Sequence, residues 1–164
     1  MNYLILVNKE NKIPDDYEEN TDLVDILDVD GEKTKLEKET LEKFYELQKD
    51  ALNNGLEIVI NSAFRSVKRQ MELSKELEEE NGIEYVLKYV ATPGFSEHHT
   101  GLAVDVGLRQ NGKVVIENEE RTVKLHMYEK LHTLLANHGF ILRYPKGKEE
   151  ITGYRYEPWH ITER

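Results

Sequence analysis

The chain has 164 residues, a length that suits one compact domain and leaves no room for two of ordinary size. Hydrophobic residues make up 38% and charged residues 33%, too apolar for a disordered tail and too interrupted by charge for a membrane span. With 22 Lys and Arg against 32 Asp and Glu, a net charge of -10, the chain offers nucleic-acid phosphates little to bind. It has no cysteine, so disulfides and thiolate metal sites are excluded and any metal falls to His, Asp or Glu.

The apolar run of five, Tyr3 to Val7, reads as a strand and not a signal peptide, since no basic segment precedes it and no small-residue cleavage site follows it. If Met1 is the native start, a cytoplasmic protein is expected; a chain of the cell envelope trimmed of its leader would read the same. Asn11 to Glu32 is acidic and contains Pro14 and Gly31, the composition of a surface-wrapping segment with one short strand at Leu23 to Leu27. From Lys35 to Asn53, Leu36, Leu41, Phe44, Tyr45, Leu47 and Leu52 recur at helical spacing, with Thr34 as a candidate cap and Asn54-Gly55 as the stop.

Leu56 to Asn61 is short and β-branched, a core strand that delivers Ser62 to Ser66 to its C-terminal end. Ser66 can cap a helix through about Glu80, a shorter helix covers Ile83 to Val90, and Thr92-Pro93-Gly94 turns the chain. Leu102 to Leu108 reads as a strand, joined through the hairpin turn Gln110-Asn111-Gly112-Lys113 to Val114 to Ile116. A helix over Val123 to Asn137 stops at His138-Gly139, and Phe140 to Tyr144 and Tyr154 to His160 flank a Pro145 to Lys148 loop as two further strands. Helices early and hairpin-linked strands late favour a single α+β domain with a mainly antiparallel sheet flanked by helices.

Six histidines are sorted by context. His126, His132 and His138 are six apart, which puts no two on one helical face, so they read as surface or capping residues. In Ser96-Glu97-His98-His99-Thr100-Gly101-Leu102-Ala103-Val104-Asp105, by contrast, a His in a Gly-bounded turn precedes an Asp within an apolar strand. Burying even a neutral polar group without a partner costs roughly 2–7 kcal/mol, so Asp105 needs a cation or hydrogen bonds, and a metal shared with His98 satisfies it. Alternation places the small residues Gly101 and Ala103 on the face of Asp105, leaving room for a substrate. On this segment alone, an Asp bonded to backbone N–H groups beside an ordinary loop His is an equal reading.

In Tyr156-Glu157-Pro158-Trp159-His160, Pro158 forces Glu157 to be extended and marks an edge strand or bulge, not a helical zinc motif. Residues three apart on a regular strand face opposite ways, so Glu157 and His160 share a site only if the chain bulges or turns at Pro158. His98, Asp105 and His160 then make the two-imidazole, one-carboxylate set with an open position that catalytic zinc uses, and Glu157 is the natural base for amide hydrolysis. Arg65, just after the core strand, offers a planar cation for an oxyanion or a substrate carboxylate; by itself it reads more simply as a surface ion pair.

Ser96-x-His98-x-x-Gly101-x-Ala103-x-Asp105 followed by Glu157-x-x-His160 resembles the signature of the zinc D-alanyl-D-alanine peptidases of the vancomycin-resistance type, the VanY, VanX and VanXY group. The stretch from Phe140 to Lys148 through Tyr156 to His160, and the opening Leu6-Val7-Asn8-Lys9, resemble the VanY and VanXY branch, so the likeness covers nearly the whole chain. It implies zinc on His98, Asp105 and His160, Glu157 as base, and Arg65 at the scissile carbonyl or the intermediate. It further implies Ser96 near the terminal carboxylate of the substrate and Gln70 on its peptide. Two departures stand out. Ala63-Phe64 replaces the family's usual Gly-Tyr before the arginine, removing a hydroxyl near the substrate. The chain also ends four residues after His160, where relatives continue with a strand and a helix, so a weakened sheet edge beside a ligand is expected.

The leading expectation is a zinc D,D-peptidase acting on peptidoglycan-derived peptides or on the free D-Ala-D-Ala dipeptide. Within the enzyme class the alternatives are an L,D-carboxypeptidase and a phage-type endopeptidase on the same scaffold. From another class, the alternative is a zinc-binding or wall-peptide-binding module without turnover, against which Glu157 argues because a purely structural site has no use for a base. Trp159 beside a ligand reads more often as core packing than as a substrate platform. Nothing in the pattern specifies an oligomeric state.

Overall fold

The computed structural model describes residues 1–115 and 125–164. Strands β1 (Leu23–Leu27) and β2 (Lys33–Glu37) pair as an antiparallel hairpin, followed by α1 (Lys38–Asn53), β3 (Glu57–Ser62), α2 (Val67–Asn81) and α3 (Ile83–Tyr89). A 3-10 turn, Glu97–Thr100, leads into β4 (Ala103–Gln110) and β5 (Lys113–Val115). Then come α4 (Leu125–Leu135), β6 (Phe140–Leu142), the one-turn α5 (Glu149–Thr152) and β7 (His160–Glu163). The main sheet runs β3-β4-β7-β6, with β5 pairing β4, and every described pairing is antiparallel. This is the α+β architecture the element order predicts, and no described helix is long and apolar enough to cross a membrane.

One face of the sheet is the core. Alternation in β4 sends Val104, Val106 and Leu108 against Leu41, Phe44 and Leu47 of α1 and Tyr128 and Leu131 of α4, all buried. Each such side chain contributes about 1.5–3 kcal/mol by leaving water. The Tyr128 hydroxyl stays satisfied by donating to the Val106 carbonyl at 2.8 Å. The opposite face of β4 and β7, bearing Asp105 and His160, is left for chemistry.

Two of the turns with left-handed backbone bear on the sheet and the site. Asn111 (φ 52°) and Gly112 (φ 76°) form the tight β4–β5 hairpin turn that the Asn-Gly pair predicts. Gly101 (φ 69°) ends the 3-10 turn against the first hairpin, where a Cβ would sit 2.5 Å from Leu23 Cδ2 and 3.3 Å from the Glu37 nitrogen.

Several boundaries differ from the sequence reading. Tyr3 to Val7 is not a strand: the Asn2 and Asn8 side chains accept the backbone N–H groups of Leu4, Glu10 and Asn11, turning the chain where a ladder would run. The helix does not begin at Lys35 under a Thr34 cap. Residues 33–37 pair with β1 instead, Thr34 donates to the Phe64 carbonyl, and Glu37 becomes the cap by accepting the Thr40 N–H at 2.9 Å. Tyr154 to Trp159 is a loop and turn, with strand only from His160 onward. β6 ends at Leu142, before Pro145, and the loop beyond carries the unpredicted α5. Ile116, Val123 and Lys124, assigned to a strand and a helix from sequence, lie outside the described residues. β7 is no edge, since β4 and β6 flank it on either side.

Candidate metal centre and its cavity

Four separate segments meet at the free face of β4 and β7. A register shift between Ile60 and Ser62 ends β3 in a bulge and swings the following loop toward the site. That loop is tied down by its backbone: Arg65 N–H donates to the His98 carbonyl at 3.0 Å. The 3-10 turn presents His98, with Ser96 Oγ accepting the His98 N–H at 3.3 Å as a cap. Asp105 and His160 are register partners on β4 and β7. Glu157 reaches them because the chain does turn at Pro158: His160 N–H donates to the Glu157 carbonyl at 3.2 Å, a turn with proline at its second position. His132 Nε2 lies 2.7 Å from the Pro158 carbonyl and anchors that turn, so His132 is more than the surface residue its spacing suggests.

The donor atoms are oriented as a metal would require. His98 Nδ1–H donates to the Ala63 carbonyl at 2.6 Å, which leaves the Nε2 lone pair facing Asp105 Oδ2 at 3.3 Å. His160 Nε2 is engaged by Glu97 Oε2 at 3.0 Å, which leaves Nδ1 facing Asp105 Oδ1 at 2.9 Å. The two rings stand perpendicular, 5.1 Å apart. One ligand atom from each of His98, Asp105 and His160 falls within 4.8 Å of the others, a donor set that fits a tetrahedral ion with one open position. Glu157 Oε2 lies 3.8 Å from His160 Nδ1, beside the set and not within it.

Without an ion, a proton balances these carboxylates. Burial works against charging His160, but hydrogen bonds and charge from Asp105 and Glu97 push its pKa up to about 10. Burial works to raise Asp105, yet the His98 charge and the hydrogen bonds from His160 and His98 hold it well below the usual carboxylate range.

Glu97 is the residue that sequence reasoning passed over. It is 2% exposed, and besides His160 it accepts from Thr162 Oγ1 at 2.6 Å, Arg143 Nε at 2.8 Å and an Arg164 guanidinium nitrogen at 2.5 Å. Burial would raise its pKa, but the bond to His160 and the charges of His160, Arg143 and Arg164 hold it at about 2. It is therefore an ionised carboxylate that fixes the ring of a candidate ligand. The one signal in the sequence is the polar series His160, Thr162, Arg164 at strand alternation. His99 was also passed over: its Nδ1–H donates to the Arg65 carbonyl at 2.6 Å and its Nε2 accepts the Gly94 N–H at 3.0 Å, fixing the backbone under Arg65.

A cavity of about 220 Å³ opens over the donor set, and all seven residues singled out from the sequence line it: Arg65, Gln70, Ser96, His98, Asp105, Glu157 and His160. The Arg65 guanidinium donates to Gln70 Oε1 at 2.8 Å, and Gln70 Nε2 donates to the Ala91 carbonyl at 2.8 Å, so the buried Gln70 aims Arg65 and keeps one amide hydrogen unused by these bonds. Burial lowers the Arg65 pKa while the Asp105 charge raises it; a guanidinium remains protonated throughout. Phe64 does not line this cavity. It lines a neighbouring one with Ile13, Tyr17 and His99. Trp159 is 8% exposed and belongs to the core cluster, while its edge lines the cavity.

A family model described as VanY, D-alanyl-D-alanine carboxypeptidase, matches residues 33–162. The chain is 40% identical over 111 residues to the bifunctional D-Ala-D-Ala dipeptidase and carboxypeptidase VanXYC of Enterococcus gallinarum, covering 65% of this chain and 57% of that protein. It spans 36–59% of the length of the curated relatives it matches. Among solved structures, the LdcB LD-carboxypeptidase superposes with a TM-score of 0.83 at 35% identity over 99% of this chain and 76% of that one. A variant of the vancomycin-resistance D,D-pentapeptidase VanY in complex with Zn(II) superposes with a TM-score of 0.75 at 31% identity over 98% and 87% of the two chains. By the extent of the family match and the fold it shares with these structures, the chain belongs to the VanY family of D-alanyl-D-alanine carboxypeptidases.

Proposed function

We propose that this chain is a zinc-dependent D,D-carboxypeptidase or dipeptidase that hydrolyses the terminal D-Ala amide of peptidoglycan precursor peptides. The observation that carries the reading is the convergence of His98, Asp105 and His160 within 4.8 Å, in a cavity that Glu157 and Arg65 also line. A zinc ion held by these three residues supplies Lewis acidity to the scissile carbonyl and brings the pKa of water down toward about 7.

The remaining work belongs to the protein. Glu157 takes the proton of the attacking water and returns it to the leaving amine, a role worth about 10²–10⁴ in rate. Arg65, aimed by Gln70, meets the negative charge that develops on the carbonyl oxygen. The Ser96 hydroxyl uses its oxygen to cap His98 and keeps its hydrogen for the terminal carboxylate of the substrate. The unused amide hydrogen of Gln70 is directed to the peptide.

The likeness to LdcB favours a second reading on the same machinery, an L,D-carboxypeptidase trimming tetrapeptides. The deciding experiment is D-Ala release by the zinc-loaded protein from a muramyl pentapeptide, a muramyl tetrapeptide and free D-Ala-D-Ala, beside the Glu157→Ala variant. Release from the pentapeptide or dipeptide that depends on Glu157 supports the D,D reading, and release from the tetrapeptide alone supports the L,D reading. Zinc uptake with no release from any of the three rejects both.

A further inference from the structure

A second cavity, of about 610 Å³, lies against the first and shares Tyr89, Tyr154, Glu157 and Trp159 with it, so the two form one continuous groove. The Arg65, Gln70 and Ser96 end belongs to the first cavity alone. If that end takes the C-terminus of a substrate, the second cavity lies upstream of the cleaved bond, beyond Glu157.

Its wall carries Lys88 and Arg155, both exposed. Lys88 Nζ lies 5.1 Å, and the Arg155 guanidinium carbon 5.4 Å, from the centre of the Tyr89 ring, so one aromatic ring gathers two cations, from α3 and from the loop before β7. Arg155 is set apart by what it lacks. Among the described residues Arg69, Arg109, Arg143 and Arg164 each pair with a glutamate and Arg65 bonds to Gln70, whereas Arg155 stacks on a ring. In a chain of net charge -10, two cations that face a groove and have no carboxylate partner among the described residues mark a place where an anion from elsewhere is accommodated.

We infer that the groove beyond Glu157 is a subsite for a carboxylate on the substrate peptide, upstream of the cleaved bond, held by Lys88 and Arg155 with Tyr89 as the platform between them. This rests on the peptidase reading and deepens it. A planar guanidinium takes a carboxylate through two parallel hydrogen bonds, while the ammonium adds a point charge. The groove thus distinguishes acidic peptides from their amidated counterparts, which the metal centre alone does not.

The test compares N-acetylated tetrapeptides ending in D-Ala-D-Ala that carry glutamate or glutamine at either position before that pair. kcat/KM is measured with the zinc-loaded protein. Affinity is measured separately on the zinc-loaded Glu157→Gln variant, which leaves peptides intact, through the fluorescence of Trp159, the only tryptophan and part of the groove wall. The expected result is about threefold to tenfold preference for a glutamate peptide, the scale of one or two exposed charge pairs, weakening with added salt. The ratio should fall to about one when Lys88→Gln and Arg155→Gln are combined, and persist in Lys88→Arg. Equal values for acid and amide, a preference that survives the double substitution, or no binding of either peptide overturns the subsite. Failure of the peptidase reading is distinguishable, because peptides that are never cleaved still report on the groove through Trp159.

Discussion

Asp105 and His160 face each other across the β4–β7 ladder, with Asp105 Oδ1 2.9 Å from His160 Nδ1. Their meeting is a matter of register: a slip of one residue would turn His160 into the core and Ile161 into the cavity. Asp105→Asn keeps the shape but removes the charge, so zinc affinity should drop by more than about 100-fold while the sheet persists. Chelator competition and circular dichroism check the two halves of that statement.

Glu157 stands beside the donor set and contributes none of its three ligand atoms. Glu157→Gln should therefore bind zinc as the wild type does and lose about 10²–10⁴ in kcat. Metal content measured together with D-Ala release separates a lost base from a lost ion.

Glu97 acts on the candidate donor set through His160. Glu97→Gln leaves an amide among two arginines and an imidazole, and zinc affinity should fall about 10- to 100-fold, the range found when a ligand's supporting carboxylate is removed. The pH dependence of zinc binding should shift too, since the carboxylate helps raise His160.

The metal-free protein should lose stability at both ends of the pH range. Glu97 is depressed from 4.5 to about 2, so the unfolded chain binds more protons there and stability falls as pH drops through that window. Asp105, likewise depressed, acts in the same direction. His160 is raised from 6.5 to about 10, so its contribution is whole below 6.5 and is lost as pH climbs toward 10. Thermal melts should show a plateau between about 4.5 and 6.5, and zinc should remove the alkaline decline, because the ion takes the place of the proton on His160.

Gly101→Ala places a methyl carbon against Leu23 and demands positive φ from alanine. A loss of about 1–3 kcal/mol is expected, visible as a lower Tm. His98 lies in the same turn, so zinc affinity measured on the folded variant shows whether the strain reaches the ligand.

The meeting of His98, Asp105, Glu157 and His160 follows from residue types at suggestive spacing, whereas Arg65 alone reads as a surface ion pair and Ser96 and Gln70 enter only through the family resemblance. His98 and Asp105 share one short segment, and Pro158 marks where the chain has to bulge or turn if Glu157 is to come back beside His160, a condition that the structure meets with a turn. Glu97 was not legible: a carboxylate in an acidic chain reads as solvated, and its burial depends on Arg143 and Arg164, which only the fold brings near. The helix starting at Lys35 failed for a similar reason. Leu36 fits a helical spacing as well as it fits a strand, and pairing with Val24 on β1 decides the matter. Tyr3 to Val7 shows the converse, an apolar run whose local asparagines outcompete a ladder.

Glu97 and His98 are consecutive in one 3-10 turn, capped by Ser96 and closed by Thr100 Oγ1 donating to the Glu97 carbonyl at 2.6 Å. One neighbour offers its own ring nitrogen to the candidate donor set and the other, Glu97, steers the ring of His160, 63 positions farther along the chain. The two imidazoles accordingly share a fate. A substitution that shifts this turn, at Ser96 or Thr100 for example, displaces one candidate ligand directly and unsettles the other in the same motion, so damage at a single short segment is felt twice at the donor set.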